Sequence, residues 1–287
     1  MAVMCLMVAS CSKESINEVV NGETEAPVKV RVDDFAVSLE DEGRGETRAT
    51  QDVADYDGIN GITLAFYKGD GSEAYKCEQQ RSDEIFGEFS LSLPMGSYTM
   101  VVVAYKITDG NPFVLTSPTV AAYTGEHMYE TFATTQEVNI TSIQAVDLCA
   151  TLNRIVSRLM VESSDGRTTN VVNVRMTLSA GGKSFNPTTG LATVNTGFAN
   201  TVNVSAKEGA KSTSSTYFFL LTDEQTMDVT IETLDAEGGT LFSKTVNDVP
   251  FKRNRMTKLI GNIYTNNSLF GDFQIETAWL SEYVGGF

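Results

Sequence analysis

Apolar and polar residues alternate in short runs along most of the chain, and this period of two is typical of β-strands. One such run covers residues 62–67 and ends at the turn sequence Lys68-Gly69-Asp70-Gly71. Runs of the same kind lie at residues 89–93, 98–105, 172–178, 217–221, 229–231 and 256–264. Because helical segments do not alternate with them, the pattern predicts an all-β fold built of antiparallel β-sandwiches.

A strand with a register break is predicted at residues 28–39. Six apolar residues alternate there with polar ones, namely Val28, Val30, Val32, Phe35, Val37 and Leu39. The parity of the alternation changes at Asp33-Asp34, which predicts a β-bulge. Full burial of the six side chains would contribute at most roughly 9–18 kcal/mol, which is comparable to the whole stability of a domain. A chain without this strand would therefore expose an apolar groove and open sheet edges that pair with another chain.

Residues 40–50 (EDEGRGETRAT) are predicted to form an exposed loop after this strand. The segment is charged, contains glycine and has no apolar anchor except alanine. Exposed loops of this composition are the usual sites of proteolytic cleavage.

The chain has 287 residues, about twice the size of a usual single domain, so we expect two domains. Their boundary is predicted near residue 150, where the local signals conflict. Apolar residues recur there at helical intervals, at Leu148, Leu152, Ile155, Val156 and Leu159, which predicts a helix. The β-branched residues and the continuation into Met160-Val161 favour a strand, so the residues alone leave both structures open.

Charge and residue types exclude several functions. The chain has 21 Lys and Arg against 37 Asp and Glu, a formal net charge of −16, which repels nucleic acid. His127 is the only histidine, so a His-rich metal site is ruled out and at most one imidazole is available for a catalytic triad. Hydrolase, P-loop, zinc-protease and Cys-x-x-Cys motifs are absent. We therefore expect no enzymatic activity, no cofactor, no metal and no nucleic-acid partner.

Residues 1–10 are apolar and small and lead into Cys11, which predicts the back half of a secretory signal peptide. The sequence Val8-Ala9-Ser10-Cys11 resembles a bacterial lipobox, in which the cysteine is acylated and becomes the mature N-terminus. Residues 12–27 are polar and acidic, as in a flexible tether. Cys77 and Cys149 remain for the folded part, where a disulfide and buried free thiols are both compatible with export.

Several motifs occur along the chain in an order that matches a known pattern. The lipobox, the alternating strand, a loop ending in Thr47-Arg48-Ala49 and the apolar strand at 62–67 come first. They are followed by GSYTMV at residues 96–101, LNRIV at residues 152–156, and VPFKRNRMT at residues 249–257 with Gly261-Asn262. In this order and spacing the chain, from Cys11 to about Trp279, resembles the fimbrillins, the subunits of type V pili.

The resemblance implies two tandem transthyretin-like β-sandwich domains, at residues 49–150 and 151–287, and a strand rather than a helix at residues 152–161. It also implies export as a lipoprotein to the outer membrane and cell surface, and removal of residues 11–48 by an Arg-specific protease. We expect cleavage between Arg48 and Ala49, because Thr-Arg-Ala matches the family's junction better than Arg44 does. Strand exchange with other pilin subunits would then build a fimbria that serves adhesion to a host or bacterial surface.

The C-terminal stretch, residues 271–287, is a candidate donor strand for this exchange. Phe273, Ile275 and Trp279 alternate with more polar residues, as expected of a strand laid over an apolar groove. An equally compatible interpretation makes the stretch the last strand of its own sheet, because Gly271-Asp272 before it is a normal turn sequence.

Two other functions remain open. A monomeric surface lipoprotein that binds glycans is one, although Trp279 is the only tryptophan and sugar platforms usually need exposed aromatic pairs. The uncleaved anchor subunit of a pilus is the other. Arg44 and Arg48 in a predicted loop favour a stalk or tip subunit, since an anchor keeps its N-terminal strand.

Overall fold

The computed structural model describes residues 25–41, 44–53, 56–108, 112–265 and 273–277, and at residues 34, 36–41, 44–52 and 276–277 it describes the backbone only. Strands dominate this part of the chain. In chain order they are β1 (Glu25–Asp41), β2 (Arg44–Asp52), β3 (Gly61–Lys68), β4 (Glu73–Gln80), β5 (Glu88–Pro94), β6 (Gly96–Tyr105), β7 (Phe113–Ser117), β8 (Val120–Tyr123), β9 (Thr131–Ile140), β10 (Val146–Arg154), β11 (Ser157–Ser163), β12 (Asn173–Leu178), β13 (Ser184–Asn186), β14 (Leu191–Ala192), β15 (Phe198–Asn203), β16 (Thr213–Phe218), β17 (Glu224–Leu234), β18 (Thr240–Lys252), β19 (Met256–Gly261) and β20 (Gln274–Thr277).

The N-terminal half forms one eight-stranded sheet. Seven strands follow the order β2-β1-β10-β9-β6-β3-β4, and β5 pairs with β1 outside this path. All pairs in the sheet are antiparallel except that of β1 with β10. The buried side chains of β1, β3, β5, β6 and β10 share one apolar core.

Strand β3 is buried on both faces, which explains its nearly continuous apolar sequence. Leu64 and Phe66 belong to the core shared with β1. Ala65 and Tyr67 point the other way and belong to a second core, which extends into the C-terminal half.

The C-terminal half contains two four-stranded sheets, β16-β11-β19-β20 and β15-β12-β17-β18. Strand β11 pairs in parallel with β19, and the other pairs are antiparallel. Buried residues of both sheets belong to the same second core, among them Leu159, Met176, Ile231 and Leu259. Two sheets over a common core are consistent with a β-sandwich, so the all-β prediction is confirmed.

A fourth sheet joins the two halves. Its order is β14-β13-β8-β7, so one hairpin comes from each half. Ser184 and Phe185 of β13 pair with Ala122 and Ala121 of β8. Phe113 of β7 stacks on Tyr105, with ring centroids 4.1 Å apart, and its ring lies 6.1 Å from that of Phe185.

The local spacing of apolar residues predicts a helix at residues 148–159, and this prediction is wrong. Strand β10 runs to Arg154 and β11 starts at Ser157, so residues 155 and 156 separate two strands. Along the end of β10, buried and exposed residues alternate strictly. Pairing with neighbouring strands overrides the helical spacing of the apolar residues. The resemblance, which favoured a strand here, gave the better prediction.

The prediction of a loop at residues 40–50 is also wrong for most of these residues. The backbone of β2 pairs with β1 in an antiparallel hairpin, with Arg48 opposite Ser38 and Ala49 opposite Val37. Strand β2 lies at the edge of its sheet. Charged residues are common on edge strands, which is why a polar sequence does not exclude a strand at this position.

A disulfide between Cys77 and Cys149 is not formed, because Cys149 is a free, exposed thiol. Within the described residues, no helix is long and apolar enough to cross a membrane. No cluster of three or more His, Cys, Asp or Glu residues that could hold a metal ion occurs in the same part of the chain.

Candidate functional site: the groove around strand β1

Strand β1 is hydrogen-bonded on both sides, although it comes first in the chain. Residues 25–31 pair with β5 in an antiparallel manner, and residues 28–36 pair with β10 in parallel. We call the space between β5 and β10, together with the core beneath it, the β1 groove. Without β1, both of these strands would present unpaired backbone N–H and C=O groups.

The inward side chains of β1 fill the β1 groove. Val28, Val30 and Val32 are 1–4% exposed and belong to the core of the first sheet. The register with β10 shifts between Val32 and Asp34, which confirms the predicted bulge. Because of this shift, Phe35 also points inward and is fully buried. Val37 and Leu39 lie where only the backbone is described.

The outward side of β1 carries basic residues opposite acidic ones. Lys29 lies opposite Asp147 of β10, and Arg31 lies opposite Glu88 of β5. Opposite charges on neighbouring strands stabilise a pairing modestly. Arg31 is also the register partner of Cys149, and its Nη2 atom donates a hydrogen bond of 3.7 Å to the Cys149 sulfur.

An aromatic pocket surrounds Phe35 at the end of the groove. The Phe35 ring centroid lies 4.7 Å from that of Phe132 and 5.4 Å from that of Tyr56. The Tyr56 and Phe132 rings contact each other edge to face at 5.4 Å. Tilted and edge-to-face contacts of this kind are favourable aromatic geometries. We call this site the Phe35 pocket.

A buried ion pair lies behind the Phe35 pocket. Nε of Arg154 is 2.5 Å from Oε1 of Glu130, and the two side chains are 3% and 11% exposed. The Tyr56 hydroxyl donates to the Glu130 carboxylate and accepts a 3.3 Å hydrogen bond from Nη2 of Arg154. Burial and the nearby Glu130 carboxylate raise the pKa of Tyr56. The Arg154 guanidinium also lies 5.1 Å from the centre of the Phe132 ring, within range of a cation–π contact.

The ion pair extends to the C-terminal half through Asn254. Nη1 of Arg154 donates a 3.3 Å hydrogen bond to Oδ1 of Asn254. Asn254 has φ of +58°, a left-handed conformation that Asn tolerates better than most residues. Its backbone N–H donates to the carbonyl of Val156 at 3.0 Å. These contacts give a structural role to Asn254, which belongs to the motif VPFKRNRMT at residues 249–257.

Arg81 fixes the chain that follows β2. Its Nε atom donates to the carbonyl of Ile59 at 3.1 Å, and Nη2 donates to the carbonyl of Val53 at 3.1 Å and to that of Tyr56. Val53 and Ile59 are buried. Cleavage between Arg48 and Ala49 would therefore leave the new end only a few residues from a segment that is held in place.

The predicted processing residues are only partly within the described structure. Arg44 begins β2 opposite Asp41, and Arg48 and Ala49 lie in the middle of β2. Cys11 and Trp279 fall outside the described residues. The structure therefore brings Val28, Val30, Val32 and Phe35 together in one groove, and the lipidation and cleavage sites stay predictions.

The C-terminal strand β20 pairs with the edge of its own sheet. It runs antiparallel to β19, with Ile275 opposite Leu259. Phe273 is 8% exposed, whereas Ile275 is 42% exposed, so the two residues do not share one buried face. Within the described residues, Gln274–Thr277 therefore form the last strand of the C-terminal half's own sheet.

An alanine at Gly261 should loosen this strand. An ideal Cβ atom at Gly261 would lie 2.7 Å from Cδ1 of Phe273, well inside a normal carbon contact. The ring would have to move, and we expect amide hydrogen exchange in residues 274–277 to accelerate at least about tenfold. Gly69→Ala is the control, because nothing lies within 4 Å of its ideal Cβ. Equal exchange in both variants would contradict this role of Gly261.

Sequence reasoning did not connect Tyr56, Glu130 or Phe132 with the β1 groove. One signal was available, because Arg154 is the only charged residue between Leu148 and Val156. A charged residue within an apolar run is usually paired when it is buried. The sequence could not identify its partners.

Comparisons with known proteins identify a matching family and several proteins with a similar fold. A family model described as "Family of unknown function (DUF6562)" matches residues 24–284. The fimbrial anchor protein Mfa2 from Porphyromonas gingivalis is similar in structure, with a TM-score of 0.52 and 12% identity over 89% of this chain and 98% of that chain. A "putative adhesin" from Bacteroides thetaiotaomicron has a TM-score of 0.52 and 11% identity over 91% and 99% of the two chains. A comparison with curated protein sequences found no significant match. At such low identity, the similarity concerns the fold.

Proposed function

We propose, from the premise that the chain belongs to the family of unknown function DUF6562, that it is a structural subunit of a surface fimbria that serves adhesion. It assembles with other fimbrial subunits by strand exchange at the β1 groove. In this proposal the two halves are transthyretin-like sandwich domains at residues 49–150 and 151–287. The similar structures include a fimbrial anchor protein, which supports a role at the cell surface.

The observation that carries this proposal is the position of β1. It lies between β5 and β10 and places five buried apolar side chains in the core, those of Ala26, Val28, Val30, Val32 and Phe35, and its C-terminal end leads into β2. A cut in β2 breaks the backbone link between β1 and the strands that follow it. An extended segment from another subunit can then make the same backbone hydrogen bonds.

The remaining parts of the proposal concern export and assembly. Acylation of Cys11 attaches the precursor to the outer membrane, an Arg-specific protease cuts at Arg48-Ala49 or at Arg44, and residues 11–48 leave. The stretch at 271–287 supplies the donor strand to the next subunit. Edge strand β20 is suited to this role, because among the described residues it is paired only with β19.

Cleavage of the purified full chain by an Arg-specific protease tests the proposal. We expect a new N-terminus at Ala49, with Gly45 as the second position, and ladders that resist SDS on gels. A variant with both Arg44 and Arg48 changed to Lys should stay monomeric. A cleaved chain that keeps residues 25–41 bound and remains monomeric would refute strand exchange. A chain that is not cut at either arginine while other subunits polymerise would instead be the anchor.

A further inference from the structure

We propose that the Phe35 pocket selects the strand that occupies the β1 groove, and that the occupant must place an aromatic ring there. This inference rests on the proposed function, and it specifies the chemistry of the partner. The partner is a segment of another fimbrial subunit that presents alternating apolar side chains to the groove and an aromatic ring to the Phe35 pocket. In β1 the ring follows the third valine by three positions, and another strand needs its own irregularity or register to bring a ring to the same place.

The spacing comes from the groove itself. Val28, Val30 and Val32 occupy three sites two residues apart, and the bulge then moves the next buried site to Phe35. Ala26 adds a further small buried site two residues before Val28. The groove is therefore asymmetric, with several sites for small side chains and one for a large side chain. A strand without the bulge would direct its residue at position 35 toward solvent.

The size of the Phe35 pocket follows from its walls. The Phe35 ring contacts Phe132 and Tyr56 at centroid distances of 4.7 and 5.4 Å and has no exposed surface. A smaller residue leaves a cavity where the ring lies, and the loss of a ring from a core is among the most costly large-to-small changes. The Phe35 pocket therefore discriminates between occupying side chains by their volume.

The Arg154–Glu130 ion pair places a second requirement on the strand that occupies the groove. Tyr56 and Phe132 contact both the Phe35 ring and the Arg154–Glu130 pair. With the ring absent, water reaches groups that are 3% and 11% exposed in the occupied groove. A buried ion pair depends on its geometry and on its remaining hydrogen bonds, so an occupant without a large apolar group disturbs it.

Peptide competition tests the inference without changing the protein. The full chain is cleaved with an Arg-specific protease, the protease is inhibited, and an equimolar mixture of peptides covering residues 25–38 is added in excess. One peptide carries the native sequence, and the others carry Phe35→Ala, Phe35→Leu or Lys29→Ala. Mass spectrometry of the bound fraction measures their relative uptake.

We expect the Phe35→Ala peptide to be taken up roughly 100-fold less than the native one, and the Phe35→Leu peptide to be intermediate. The Lys29→Ala peptide should match the native one, because Lys29 is exposed. Equal uptake of the native and Phe35→Ala peptides overturns the selective role of the pocket and leaves strand exchange intact. If no peptide enters, the native one included, and the cleaved chain forms no ladders, strand exchange at the groove is itself refuted.

Discussion

An Arg31→Cys variant should cleave normally and fail to polymerise as long as a new disulfide is intact. Residue 31 and Cys149 are register partners on β1 and β10. Neighbouring strands are ~4.8 Å apart, within the Cα separation that a disulfide allows. Cys149 is free and exposed, so it can react. The bond would hold the cut strand in the groove, and we expect complete loss of SDS-resistant ladders, with recovery after reduction.

Lys29→Cys is the matched control for this experiment. Residue 29 lies on the same outward face of β1 but is opposite Asp147, which offers no thiol. This variant should form ladders with and without reductant. Ladders in the Arg31→Cys variant, with the bond verified by mass spectrometry, would show that assembly does not require β1 to leave the groove.

An Arg154→Met variant should lose about 3–5 kcal/mol of unfolding free energy, because Glu130 would keep a buried charge without its partner. Denaturant unfolding measures this loss. The double variant Arg154→Met with Glu130→Gln should recover part of it, since no net charge is then buried. Arg175→Met is the control, because Arg175 pairs with Glu232 at a more exposed position and such pairs contribute only ~0–1 kcal/mol.

Two outcomes would contradict this account of the ion pair. The first is a loss of stability in Arg154→Met no larger than that in Arg175→Met. The second is a double variant that is as unstable as the sum of the two single ones, since residues in contact should show a coupling energy.

The part of the groove that lies on one strand could be predicted from the sequence. Val28, Val30, Val32 and Phe35 alternate with polar residues, and the change of parity revealed the bulge that the structure contains. This prediction succeeded because the period of a strand records which face is buried. It failed for β2, because β2 lies at the edge of its sheet, where polar and charged residues are common and a polar sequence carries no signal of pairing.

The Phe35 pocket could not be predicted in the same way. Arg154 meets Tyr56 and Asn254, which are 98 and 100 positions away in the chain. Only the order of the strands in the sheet brings them together, and that order depends on pairings between distant segments. The helical spacing at residues 148–159 was misleading for the same reason, because a local pattern takes no account of the strands on either side.

The sheet shared by the two halves has a consequence for how the chain unfolds. Hairpin β7–β8 covers one side of the second core, and its partner hairpin β13–β14 begins some sixty residues later. If either half opened alone, it would leave the other with a two-stranded ribbon, which is marginally stable in water. The two halves are thereby coupled thermodynamically, and the chain should melt as one cooperative unit although it contains two apolar cores.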